Sequence, residues 1–145
     1  VDYYSATAGE GPIKALQEGN GVREDLRGML RASVAVFTDP ANGKGCMMVT
    51  SAINCAPENA AHADELAVRR QRNRKELEKR FRLAQKQKEL RARADIEGLA
   101  DFYTAVLHGL SLSARDGISC ERLFNTIAHA MKALEAELTL HGKAG

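Results

Sequence analysis

At 145 residues, with 44% hydrophobic, 28% charged and 5% aromatic residues, the chain suits one domain burying roughly 70% of the surface its unfolded form exposes, so it needs neither disulfide nor metal to stay folded. Its three cysteines are an odd number, and Cys46 and Cys55 sit on one predicted helix about 13 Å apart by its rise per residue, too far to bridge; reduced thiols and a cytoplasmic location follow. No apolar run approaches the ~20 residues of a membrane span and no signal-peptide pattern opens the chain, so no membrane partner is expected.

The hydrophobic period is near 3.6 throughout and strand signals are almost absent, which predicts an all-α fold. The chain opens Val1-Asp2-Tyr3-Tyr4, without Met and in what reads as a helix tail over 2–8, so an upstream segment is expected. Pro12 suits a helix start and Gly19-Asn20-Gly21 a stop. From Val22 to Phe37, the residues Leu26, Met29, Leu30, Ser33, Val34 and Phe37 form one stripe, which breaks at Thr38-Asp39-Pro40-Ala41-Asn42-Gly43-Lys44-Gly45. Cys46 to Cys55 is apolar almost all round, interrupted by Thr50, Ser51 and Asn54, and is expected to pack centrally.

Ala56-Pro57-Glu58 then restarts the chain into a long helix, roughly Glu58 to Glu89, striped by Leu66, Arg70, Asn73, Leu77, Phe81 and Ala84. Two strongly apolar helices follow, between Ala94 and Leu140, joined by Arg115-Asp116-Gly117-Ile118. Asp95 and Glu97 favour the start of the first, Gly117 can end it with positive φ, and Ser119 can cap the second. The first carries Ile96, Leu99, Ala100, Tyr103, Val106, Leu107, Leu110 and Ala114 at three- and four-residue spacing, the second Leu123, Phe124, Ile127, Ala128, Met131, Leu134 and Leu138. That is more apolar surface than a lone small domain hides, and it predicts a homodimer. Gly109, in mid-helix, costs about 1 kcal/mol against Ala, and the usual compensation is close approach of another helix.

The net charge of +2 conceals a segregation. From Arg69 to Arg93 there are twelve Lys/Arg against Glu76, Glu78 and Glu89, a balance of +9, and the remainder of the chain carries −7. Such a helix suits a nucleic-acid or acidic-partner surface, or simply a solvated face laced by Glu65/Arg69, Glu76/Arg80 and Glu78/Arg82. With no aromatic or amide groups placed to read bases, only weak, salt-sensitive binding to duplex DNA is expected.

Catalytic patterns are missing. The four histidines, at 62, 108, 129 and 141, make no metal-ligand spacing with one another or with a cysteine, and no nucleophile elbow, phosphate loop or carboxylate pair occurs, so no catalytic residue, metal or cofactor is expected. Cys46 follows Gly43-Lys44-Gly45 at a predicted helix N-terminus; a redox-sensitive thiolate and an inert packed thiol both fit. Thr50, Ser51 and Asn54 share a face with Met47, and leaving their polar atoms buried without partners would cost about 1–3 kcal/mol each. They satisfy themselves on their own helix or they line a largely apolar pocket for a small molecule.

Gly45-Cys46-Met47-Met48-Val49, then Asn54-Cys55-Ala56-Pro57-Glu58-Asn59-Ala60-Ala61, then Leu99-Ala100-Asp101-Phe102-Tyr103 running to Leu107-His108-Gly109-Leu110-Ser111 and Ala114-Arg115-Asp116-Gly117, together resemble the C-terminal ligand-binding and dimerisation domain of TetR/AcrR-family transcriptional regulators. The resemblance spans about Val22 to Leu134, and the family's helix-turn-helix headpiece lies ahead of it, outside this chain. It implies a repressor-type homodimer whose last two helices form a four-helix bundle, with an effector pocket in each subunit, and operator DNA contacted only through the absent headpiece. By position, the pocket candidates are Phe37, Met47, Thr50, Ser51, Asn54, Asn73, Leu77, Phe81, Phe102 and Tyr103. The interface candidates are Leu107, Leu110, Ala114, Leu123, Phe124, Ile127, Met131 and Leu134. The expected effector is a moderately hydrophobic small molecule with one or two polar groups. Two readings from other classes stand beside this one: a small helical scaffold protein using the basic helix, and an enzyme with Cys46 as nucleophile.

Overall fold

The computed structural model describes residues 10–43, 45 and 60–140, the His62 side chain excepted. The helix expected over Cys46 to Cys55 and the tail over 2–8 lie outside the described residues. All regular elements among those described are helical: α1 (Glu10–Leu16), α2 (Val22–Thr38), a 3-10 turn (Pro40–Asn42), α3 (Ala60–Lys86), α4 (Ile96–Arg115) and α5 (Cys120–Glu135). The all-α expectation is met, and an isolated bridge between Leu90 and Leu138 is the sole strand-like pairing there.

Local chemistry sets the boundaries. Pro12 sits in the first turn of α1, and the chain reverses through Gly19 and Gly21, at φ 83° and 93°, a region only glycine enters without penalty. Val22 opens α2 with its N–H donated 2.6 Å to the Glu89 carboxylate, a cap supplied from 67 residues away. Asp39 ends α2 and caps the 3-10 turn by accepting from Ala41 N at 2.9 Å. Ser119 accepts from Arg122 N, forming the expected N-cap of α5; Asp95, expected only to favour the start of α4 by its charge, also caps it by accepting from Gly98 N, and Gly117 closes α4 at φ 91°. α3 ends at Lys86, three residues before the expected Glu89, and its expected start at Glu58 lies outside the described residues.

α2 is the central helix of the described part, packed on α1, α4 and α5, while α3 lies along α4. Its stripe of Val22, Leu26, Met29, Leu30, Val34 and Phe37 is buried as the period requires, and Ser33 satisfies its hydroxyl on the Met29 carbonyl four residues back. α5 buries Leu123, Ile127, Ala130, Met131 and Leu134, and α4 buries Ile96, Leu99, Ala100, Tyr103, Leu110 and Ala114.

That packing corrects the surface assigned to a second copy. Leu110, Ala114, Leu123, Ile127, Met131 and Leu134 are at most 3% exposed within one chain, so their apolar area is already covered by this chain's own core. Phe124 is half-buried, with the Arg31 guanidinium 4.1 Å above its ring, and Leu107 is half-buried. What α4 leaves outside is a different stripe, Phe102, Ala105, Gly109 and Leu112, all exposed.

Candidate functional site

α2, α3 and α4 supply the described part of the predicted site. Phe37 ends the α2 stripe at 7% exposure, and Leu77, Phe81 and Tyr103 are wholly buried. Phe81 of α3 and Tyr103 of α4 meet with ring centroids 5.9 Å apart, and Phe102 meets Tyr103 edge-on at 5.0 Å and 85°. Such contacts add about 0.5–1.5 kcal/mol beyond burial. Phe102 nevertheless stands 42% exposed on the outer side of α4, which corrects its assignment to an interior pocket wall. Asn73 is half-buried on α3, one turn before Leu77. Met47, Thr50, Ser51, Asn54 and Cys46 lie outside the described residues.

The Tyr103 hydroxyl is already occupied. It donates to the Ala130 carbonyl at 2.9 Å and accepts from Leu134 N at 3.0 Å, entering the backbone of α5. Burial pushes its pKa up to about 12 against the pull of the Leu134 amide, so the proton stays in place and the side chain ties α4 to α5.

Two open grooves lie at the end of the bundle where the 17–21 turn, the 87–90 turn and residues 139–140 meet. One, of about 610 Å³, runs between Val22 and Arg23 on one side and Lys88, Glu89, Thr139 and Leu140 on the other. The second, of about 380 Å³, is bordered by Gln17, Gly19, Glu76, Lys79, Arg80 and Leu83. Neither is lined by any of the ten pocket candidates.

Between these grooves sits a charge cluster that sequence reasoning missed. Asp25 on α2, 1% exposed, accepts from Arg80 Nε and Nη2 at 3.1 and 2.9 Å, and from the Gly19 and Asn20 amides at 3.1 and 3.0 Å. The expected Glu76/Arg80 pair is thereby replaced, and Glu76 instead accepts from Gln17 Nε2 at 3.1 Å. Glu65/Arg69 and Glu78/Arg82 form as expected, at 2.9 and 2.7 Å. A signal was available: Asp25 and Arg80 each fall on the buried stripe of an amphipathic helix, where an unpaired charge is not tolerated.

His108 on α4 is half-buried, and desolvation, then the charge of Arg70, hold its pKa below the usual imidazole value of 6.5. The unfolded chain therefore binds this proton more readily than the folded one, and its contribution to stability is full above about pH 6.5 and lost as pH falls through the lower folded value. Melting temperature should drop between about pH 7.5 and 5, and His108→Gln should flatten that slope; equal slopes for the two chains would contradict the assignment.

Among the described residues no three His, Cys, Asp or Glu side chains are placed to hold a metal ion, and no helix is long and apolar enough to cross a membrane. The described part is thus a helical core with aromatic contacts between α3 and α4 and a buried ion pair between α2 and α3. The chain matches the family described as Tetracyclin repressor-like, C-terminal domain, over residues 23–127. It is 27% identical over 106 residues to the HTH-type transcriptional repressor ComR of Escherichia coli (strain K12), across 73% of this chain and 50% of that protein, and so spans about half the length of this relative. Two cysteine mutants of the TetR family transcriptional regulator CifR, complexed with 26bp double-strand operator DNA, superpose with a TM-score of 0.86 at 32% identity, covering 91% of this chain and 69% of theirs. The chain belongs to the TetR family of transcriptional regulators as a C-terminal domain, among regulators and not enzymes.

Proposed function

We propose that this chain is the effector-binding and dimerisation domain of a TetR-type repressor, in which a small molecule controls operator binding by a helix-turn-helix headpiece outside the chain. The observation that carries the reading is the match of the C-terminal domain family over 23–127, joined to close superposition on a regulator complexed with operator DNA. The effector occupies a pocket walled by Phe37, Leu77 and Phe81, with Met47, Thr50, Ser51, Asn54 and Asn73 supplying adaptable and polar contacts. Such a lining takes a moderately hydrophobic molecule with one or two polar groups. No cofactor enters, and the protein works in the cytoplasm, beside its DNA.

A second copy is the partner, and its contact is the outer stripe of α4, Phe102, Ala105, Gly109 and Leu112. A Cβ at Gly109 would meet nothing within 4 Å among the described residues, and the close approach that compensates a mid-helix glycine is assigned to the second copy. An effector acts only by binding one spacing of the two subunits better than another, with a coupling of about 1–3 kcal/mol.

Native mass spectrometry followed by a thermal-shift screen of apolar small molecules tests the reading. A true effector at a hundredfold excess over Kd adds about 2.7 kcal/mol, a shift of several degrees. Asn54→Leu should weaken that ligand and leave the oligomeric state unchanged. No retained molecule and no shift across a broad screen would reduce the domain to a dimerisation module.

A further inference from the structure

The outer face of α3 carries four cations that the described residues do not neutralise. Arg72, Lys75, Lys79 and Lys86 are exposed and, among the described residues, none forms an ion pair within 4.0 Å. Other basic residues of the helix divide differently: Arg69 pairs with Glu65, Arg74 with Glu78 and Asp101, Arg80 with Asp25, and Arg82 with Glu78. Pairing occupies the flanks of the helix and leaves its crest bare. At about 100° per residue, Val68, Arg72, Lys75, Lys79, Leu83 and Lys86 fall within about 80° of arc, each three or four residues after the last, along roughly 27 Å of helix. Val68 and Leu83 are 60% and 46% exposed, so an apolar residue stands on each side of Arg72, Lys75 and Lys79.

Like charges three and four residues apart destabilise a helix, and in the isolated chain this row is a burden. Opposite charge laid along it reverses the sign. We propose that this face docks an acidic amphipathic helix of another protein, its carboxylates on the four cations and its apolar residues on Val68 and Leu83. The narrow arc is the width of one helix-on-helix seam, and the three-and-four spacing is the register in which a second helix repeats its own side chains. Duplex DNA would meet the cations but leave Val68 and Leu83 against phosphate, and a straight crest touches a duplex only where the two cross. An anionic membrane favours aromatic residues and a broad apolar face, and this stripe has neither. The inference does not rest on the effector reading.

Fluorescence anisotropy with a labelled synthetic helix tests it, using a peptide of about 21 residues with glutamates on one face and leucines near each end of that face. A peptide of the same composition with its glutamates spread all round is the control. The patterned peptide should bind at least about tenfold more tightly than the control in low salt, and lose at least about tenfold as salt rises from roughly 50 to 300 mM. Lys75→Glu with Lys79→Glu should abolish the preference without lowering the melting temperature; if that variant does not fold, Lys75→Gln with Lys79→Gln should lower affinity by about tenfold. Leu83→Ser should weaken the patterned peptide severalfold. Equal affinity for the two peptides, no effect of the charge substitutions, or equally tight binding of a 20-base-pair duplex or of anionic vesicles would overturn the proposal.

Discussion

Asp25→Ala should be the most destabilising single substitution on the surface-facing ends of the bundle, lowering stability by about 3–5 kcal/mol. Removing the carboxylate leaves the Arg80 guanidinium, 7% exposed, without its partner, and strands the Gly19 and Asn20 amides that it also serves. Arg80 Nη1 already has no hydrogen-bond partner in the buried cluster, so the arginine has little left to hold it. Among the described residues Glu89 remains near, 3.8 Å away and committed to Val22 N. For a domain of this size the loss is a fall in melting temperature of roughly 10–20 °C. The double variant Asp25→Ala with Arg80→Met should recover much of it, because a buried ion pair as a whole is about neutral against an apolar replacement while a half pair is not. Thermal melts of the two variants decide it: a single variant within about 1 kcal/mol of the parent, or a double variant no better than the single, would contradict this account of the cluster.

Leu112→Asp should split a dimer, whereas Ile127→Asp should unfold the chain. Ile127 is 3% exposed inside the core, and a carboxylate there has no partner, so the helix signal should collapse at ordinary temperature with no folded monomer formed. Leu112 is 42% exposed, next to Gly109 on the outer stripe of α4, so an aspartate there is solvated in the free subunit and desolvated only when a second copy closes over it. The expected result is an unchanged helix content with the dimer weakened by about a hundredfold or more, read by circular dichroism beside sedimentation velocity. Loss of folding with Leu112→Asp, or a folded, fully dimeric Ile127→Asp chain, would reverse the two assignments.

Much of the fold was legible because its signals are local. Asp95, Gly117 and Ser119 punctuate α4 and α5 within a few residues of the boundaries they set, and the 3.6 period marks the faces of α2, α4 and α5. What stayed hidden is long-range. Periodicity says that Ile127 and Leu134 face a core but not whether that core belongs to one chain or two. It places Tyr103 on a buried stripe without saying that its hydroxyl reaches Ala130 and Leu134 on α5. The Asp25/Arg80 pair joins residues 55 apart, and local reasoning offered Arg80 the nearer but unused Glu76. The resemblance places Phe102 and Tyr103 together in the pocket by position, although adjacent helical residues point about 100° apart and cannot face one wall together.

The most direct test of the central claim, that this is a dimeric effector-binding domain, is the mass of the wild-type chain in solution. Sedimentation equilibrium across about 1 to 50 µM should return roughly twice the 15.8 kDa of one chain, with dissociation only at the dilute end. A species that stays at 15.8 kDa throughout would contradict it, leaving no second headpiece whose spacing an effector could control.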